Sequence, residues 1–149
     1  MSVIRIIGQE DIRKVFTVTA ALRAVESAYA EKSSGTGSVW PMVFHEFDPG
    51  HADLDIKSGD LASTGVYGLK VVSWYEANAK KALPALFGTS LLFDLSTGAL
   101  RALLNAGPIT SLRTGAAAAV GAKYLARRNA QTLTIVGCGE LCPYLAAAA

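Results

Sequence analysis

The sequence predicts an α/β protein in two parts. An α+β unit built on antiparallel strands occupies residues 1–109, and residues 110–149 hold a helix, an apolar strand and the start of another helix. Three observations carry this prediction. The runs "GVYGLKVVSWYE" (65–76) and "LPALFGTSLLFD" (83–94) are strongly strand-forming, and 86–105 reads as a hairpin turned by "LSTG". The alanine-rich run 109–128 is long enough for a helix. "TLTIVG" (132–137) has the continuous apolar character of a buried parallel strand and runs straight into a glycine-punctuated turn.

Along the chain, "VIRIIG" (3–8) is short and β-branched, hence a strand. In "QEDIRKVF" (9–16), Ile12, Val15 and Phe16 fall at helical spacing, with acidic residues first and basic ones after, the order a helix dipole favours. Ala21, Leu22, Val25, Ala28 and Tyr29 form the apolar stripe of a second helix, which "SSGTGS" ends. "VWPMVFHEF" (39–47) reads as a strand, with Pro41 marking an edge or irregular start. "DPGHADLDIKSGD" (48–60) reads as turn-rich, and "ANAKKA" as a loop. Thr110 or Ser111 is positioned to cap the alanine-rich helix, and Pro143 suits the first turn of the last one.

Of the 149 residues, 51% are hydrophobic, enough for a packed core. The net charge of +2, with both signs scattered, excludes the basic stripe of a nucleic-acid binder and the charged face of a membrane binder. No apolar run reaches a membrane span, and the segment after Met1 is too charged for a secretory signal. The expected location is the cytoplasm. There Cys138 and Cys142 are reduced packing residues, too few for a disulfide framework or a zinc site.

A single strand–helix step cannot bury a parallel strand, which needs neighbours on both edges. Residues 110–149 are therefore expected to begin a domain that continues beyond Ala149, and the closing "AAAA" is either true sequence or filler. Gly137-Cys138-Gly139-Glu140-Leu141-Cys142 reads G-x-G-x-x-C after the apolar strand. In a nucleotide-binding turn the first glycine permits the tight bend and the second lets a pyrophosphate approach the backbone. Cys142 departs from the usual small third residue, and the acidic ribose ligand would lie beyond the chain end. An ordinary glycine-rich strand–helix turn accounts for the same residues.

The segments "GLKVVS" (68–73), "LPALFGTSLLFDLSTGALRALLNAGPITSLRTGAAAAVGAKYLA" (83–126) and "LTIVGCG" (133–139) occur in a fixed order and spacing. Together they resemble the ornithine cyclodeaminase/mu-crystallin family, most specifically in the Thr97-Gly98 turn and the T-x-x-R-T-G-A-A block from Thr110 to Ala117. The resemblance implies an N-terminal substrate and dimerisation domain, residues 1–109, followed by a Rossmann domain for NAD or NADP. Residues 110–149 would be that domain's linker helix and first β–α step, with the catalytic aspartate beyond Ala149 and residues 1–149 alone inactive. It further implies a homodimer acting on a small amino-acid or cyclic-imine substrate.

Lys70, mid-strand between apolar neighbours, reads from spacing alone as a solvated lysine; the resemblance makes it the substrate-site lysine and catalytic candidate. An ammonium there orients a carboxylate and disfavours protonation of a nearby amine. Arg113, read as lying in the first turn of the long helix, opposes the helix dipole, so a structural role explains it poorly. By resemblance it binds the substrate carboxylate, for which its planar guanidinium is suited. Lys57 is either a further substrate-binding cation, replacing an arginine that relatives carry near the place of Met42, or part of a surface turn. Ala85 stands where relatives often have threonine. Thr114, Gly137, Gly139, Glu140 and Leu141 are the cofactor-contact candidates. His45, Asp48, His51, Asp53 and Asp55 lack the helical spacing of a metal site and read as exposed loop residues, so no metal is expected.

The function implied is an NAD(P)-dependent enzyme of amino-acid metabolism, resembling ornithine cyclodeaminase: hydride transfer at an amino-acid Cα, an imine, then cyclisation with loss of ammonia. Amino-acid dehydrogenation, cyclic-imine reduction and non-catalytic ligand binding are the alternatives.

Overall fold

A computed structural model describes residues 3–149. Strand β1 (Arg5–Ile7) leads into α1 (Gln9–Val15) and α2 (Val18–Ser34). Thr17 caps α2, its hydroxyl accepting from the Ala20 amide at 3.2 Å, and Gly35 ends the helix in the left-handed conformation at φ 80°. Strands β2 (Gly37–Val39), β3 (Val43–Asp48), β4 (Ala52–Leu61), β5 (Val66–Tyr75), β6 (Leu86–Asp94) and β7 (Leu100–Asn105) follow, then α3 (Gly107–Leu125) and α4 (Cys142–Ala148).

In the first half of the sheet, the sequence expectations for two neighbouring segments need correction. Residues 48–60 are not a turn-rich loop: only the turn before Ala52 is short and irregular, and β4 is a long strand paired on both sides. The segment 39–47 is not one continuous strand: β2 ends at Val39 and β3 begins at Val43, with Pro41, which has no amide to donate, in the gap, and the two pair with opposite halves of β4. "ANAKKA" winds as part of a 3-10 turn over Glu76–Lys81.

Among the described residues the strands form one seven-stranded sheet in the order β1-β7-β6-β5-β4-β2, with β3 also on β4. All ladders are antiparallel except β1 with β7, where Arg5 lies opposite Ala102. The cross-strand partners Tyr67 and Phe93 stack with ring centroids 4.9 Å apart and help to fix the β5–β6 register. Asp94 fastens the β6–β7 turn, accepting from the Ser96 and Thr97 amides, both at 3.0 Å, and from the Ser96 hydroxyl. These bonds hold its carboxyl down to about 2. Gly98 completes the turn at φ 72°.

The core is made of small groups: Ile12, Ala21, Ala52, Val72, Ala102, Ala106, Ala116 and Val120 are its buried apolar residues. Alanine at these positions lets α3 lie close to its neighbours. Lys123 of α3 reaches Glu26 of α2 at 2.6 Å, and the Tyr124 hydroxyl donates to the same carboxylate.

The expected buried strand at 132–137 forms no ladder. Val136 is 98% exposed, because among the described residues no strand lies beside this segment to accept or donate the bonds a parallel strand requires. No helix among the described residues is long and apolar enough to cross a membrane.

Two glycines make opposite predictions. A Cβ on Gly59 would lie 2.3 Å from the Ser38 carbonyl oxygen, so Gly59→Ala is expected to cost about 1–3 kcal/mol through a forced backbone shift. Gly121, inside α3, has open space at its Cβ position, so Gly121→Ala should stabilise by about 0.5–1 kcal/mol. Thermal denaturation followed by circular dichroism checks both; equal midpoints for the two variants would contradict this packing.

Candidate functional site

Strand alternation sets one wall of the site. Lys57 and Lys70 are direct cross-strand partners on β4 and β5, as are Asp55 and Val72, so these four side chains share one sheet face. Gly88 on β6 lies opposite Val72, and a Cβ there would fall 3.6 Å from Cε of Lys70. The absence of a side chain at Gly88 leaves room for the lysine stem.

The other wall is the start of α3. The helix begins earlier than its alanine run suggests. Pro108 occupies the first turn, where its missing amide is no loss, and the Asn105 side-chain oxygen accepts from the Gly107 amide at 3.1 Å. Thr110 and Ser111 therefore do not cap the helix, and Arg113 stands in the second turn, not the first. Thr110 instead donates its hydroxyl proton to the Ala106 carbonyl at 2.7 Å and accepts from Nζ of Lys70, also at 2.7 Å. Thr114 donates to the Thr110 carbonyl at 2.7 Å.

Between these walls lies a cleft of about 570 Å³. Lys57, Lys70, Arg113, Thr114, Glu140 and Leu141 all line it. Trp74, Ala85 and Leu86 add apolar surface. The structure thus brings together six of the eight candidate residues. Gly137 and Gly139 lie outside the cleft, in the turn preceding α4. Met42 is exposed and also lies outside it.

The electrostatics are dominated by positive charge. Burial pushes the Lys70 ammonium down to about 8, with Arg113 and then Lys57 adding to the effect and Asp55 opposing it. Lys57 donates to Oδ2 of Asp55 at 2.6 Å. Arg113 has no ion-pair partner among the described residues. An arrangement of one exposed guanidinium and one desolvated ammonium, backed by apolar side chains, suits a small carboxylate with an aliphatic body.

Sequence reasoning passed over two residues here. Asp55 was grouped with exposed loop residues, yet it sits half-buried on β4. Its signal was the alternation Asp53, Asp55, Lys57 in "DLDIK", the period of a strand. Thr110 was read as a cap and as the first residue of the T-x-x-R-T-G-A-A block, with no contact in the site assigned to it. The remaining polar residues of that region disperse: His51 pairs with Glu76 at 2.5 Å, and His45 packs edge-on against Phe47. Cys138 and Cys142 are free thiols.

A small carboxylate should bind this cleft best below about pH 8. Lys70 is cationic there and becomes neutral above, so affinity falls as pH rises through that value, and bound anion shifts the lysine midpoint upward. Calorimetric titration across pH 6–10 checks this on the order of one decade per unit. Lys70→Met should flatten the dependence, and an unchanged profile would show that Lys70 does not face the anion.

Residues 4–149 match the profile of the ornithine cyclodeaminase/mu-crystallin family. The chain is 35% identical over 134 residues to an alanine dehydrogenase of Archaeoglobus fulgidus, covering 90% of this chain and 40% of that relative. An archaeal alanine dehydrogenase dimer with bound NAD superimposes with a TM-score of 0.90 at 34% identity, over 97% of this chain and 44% of that one. The Delta(1)-pyrroline-2-carboxylate reductase of Thermococcus litoralis, in complex with NADH and L-proline, superimposes with a TM-score of 0.89 at 31% identity, over 97% and 45%. The chain spans less than half the length of these relatives, and its fold corresponds to their N-terminal domain and the start of their Rossmann fold. The chain belongs to the ornithine cyclodeaminase/mu-crystallin family.

Proposed function

We propose that this chain carries the substrate pocket and the first dinucleotide-binding turn of an NAD(P)-dependent enzyme that interconverts amino acids and imino acids. One observation carries the reading: Lys70 and Arg113, far apart in sequence, line one cleft with Lys57. On this reading residues 1–109 form the substrate and dimerisation domain and residues 110–149 open the cofactor domain. The exposed apolar side chains of β3, Val43, Phe44 and Phe47, support a homodimer.

Arg113 holds the substrate carboxylate through paired hydrogen bonds, and Lys70, anchored on Thr110, adds a second donor from the sheet side. The cations Lys57, Lys70 and Arg113 lower the proton affinity of the substrate nitrogen. The amine is thereby kept neutral, as it must be for oxidation at the adjacent carbon. Trp74, Ala85 and Leu86 receive the aliphatic side chain and exclude water.

The turn at 137–141 fits a dinucleotide. Gly137 has φ 106°, a conformation that glycine adopts freely, and nothing lies within 4 Å of a Cβ on Gly137 or Gly139, so a phosphate group can approach the backbone. Gly137, Gly139, Glu140, Leu141 and Thr114 are the residues that would hold the cofactor. NAD or NADP, when bound, supplies the two-electron redox chemistry.

Dehydrogenation or imine reduction is favoured over cyclodeamination. A diamino acid would bring a second ammonium into a cleft whose three cations face only two acids, Asp55 and Glu140.

The test is reduction of NAD or NADP by the full-length protein with a panel of amino acids, and the reverse reaction with cyclic imino acids. Arg113→Ala should lower kcat/KM about 10- to 100-fold, the loss of a charge-assisted pair. Wild-type activity that survives this substitution unchanged would refute the reading.

A further inference from the structure

Asp55 holds an unused hydrogen-bond acceptor at the site. Its Oδ2 takes the Lys57 ammonium at 2.6 Å, while Oδ1 is buried and has no partner among the described residues. Neighbours on the same sheet face explain why. Asp55 lies opposite Phe44 on β3 and opposite Val72 on β5, and neither side chain can donate. A buried carboxylate oxygen without a donor is costly, yet Asp55 also lines the cleft shared by Lys70 and Arg113. A ligand can supply what the protein does not.

We propose that Asp55 accepts a hydrogen bond from the substrate's α-nitrogen and thereby selects amino and imino acids over the corresponding 2-oxo acids. This rests on the reading that Arg113 and Lys70 hold the carboxylate, and adds the group that recognises the neighbouring nitrogen. The cleft's charge makes the assignment specific. The Thr110 hydroxyl is already engaged by Lys70 and the Ala106 carbonyl, and Glu140, the other acid of the cleft, comes from the turn before α4, so Asp55 is the carboxylate that the sheet wall offers to an N–H. A 2-oxo acid presents only a carbonyl oxygen at the same place, and two acceptors would then face each other.

Asp55→Asn inverts this arrangement. Lys57 still requires an oxygen, so the amide nitrogen turns to the free position and offers a donor. The experiment is calorimetric titration of the full-length protein, without cofactor so that neither ligand reacts, using L-alanine and pyruvate as probes. The wild type should prefer L-alanine. In Asp55→Asn the alanine-to-pyruvate affinity ratio should fall at least about tenfold, with pyruvate binding retained or improved. Asp55→Ala, which removes the acceptor without adding a donor, should weaken L-alanine while leaving pyruvate nearly unchanged. Equal losses for both probes, or an unchanged ratio, would overturn the role of Asp55. If Arg113→Ala still abolishes binding of both probes in that case, the carboxylate site stands without it. If neither probe binds the wild type, or binding ignores Arg113, the site reading falls and this assignment with it.

Discussion

The bond from the Lys70 ammonium to the Thr110 hydroxyl joins the middle of the sheet to the start of α3. It carries a charge into a place that burial and two neighbouring cations make unfavourable. Its geometry depends on the surroundings: Gly88 must leave space for the lysine stem, and Thr110 must be held by its own bond to the Ala106 carbonyl. The Asn105–Pro108 helix start then fixes where Arg113 emerges. The cleft is thus a product of where one helix begins relative to one strand.

The central strands were legible in the sequence because β5 and β6 are rich in valine, leucine and aromatic residues. Strand β4 was not. Asp53, Asp55, Ser58, Gly59 and Asp60 are residues that turns favour, and the charged side chains facing the cleft obscure the apolar alternation. Chemistry at the site thus hid the element that bears it. The same mechanism hid Asp55. Lys70 and Arg113 were picked out because the surrounding motifs resemble a family; spacing alone left Lys70 as a solvated surface lysine. What no local pattern contained was the pairing of Lys57 with Lys70, a fact of strand register between residues of two different strands.

The start of α3 and the segment 132–137 illustrate the two ways in which local reading was displaced. At α3, turn chemistry outran periodicity: the helix starts at Gly107 because Asn105 and Pro108 serve its first turn, before the alanine run begins. At 132–137 the strand-like composition is genuine, but strand structure is a property of a pair. Ile135 is half-buried while Leu133 and Val136 remain exposed, and no ladder forms.

The parallel contact of β1 with β7 has a consequence for chain entropy. The meander β4-β5-β6-β7 links strands close in sequence, so each pairing closes a short loop and can follow the previous one at small entropic cost. Strand β1 can dock only after β7 exists, and it spans nearly the whole sheet-forming part of the chain to reach it, with Arg5 opposite Ala102. Of the sheet's pairings, the one that seats the N-terminal strand therefore closes the longest loop and costs the most chain entropy, and the edge of β7 that it covers would otherwise present unpaired backbone groups.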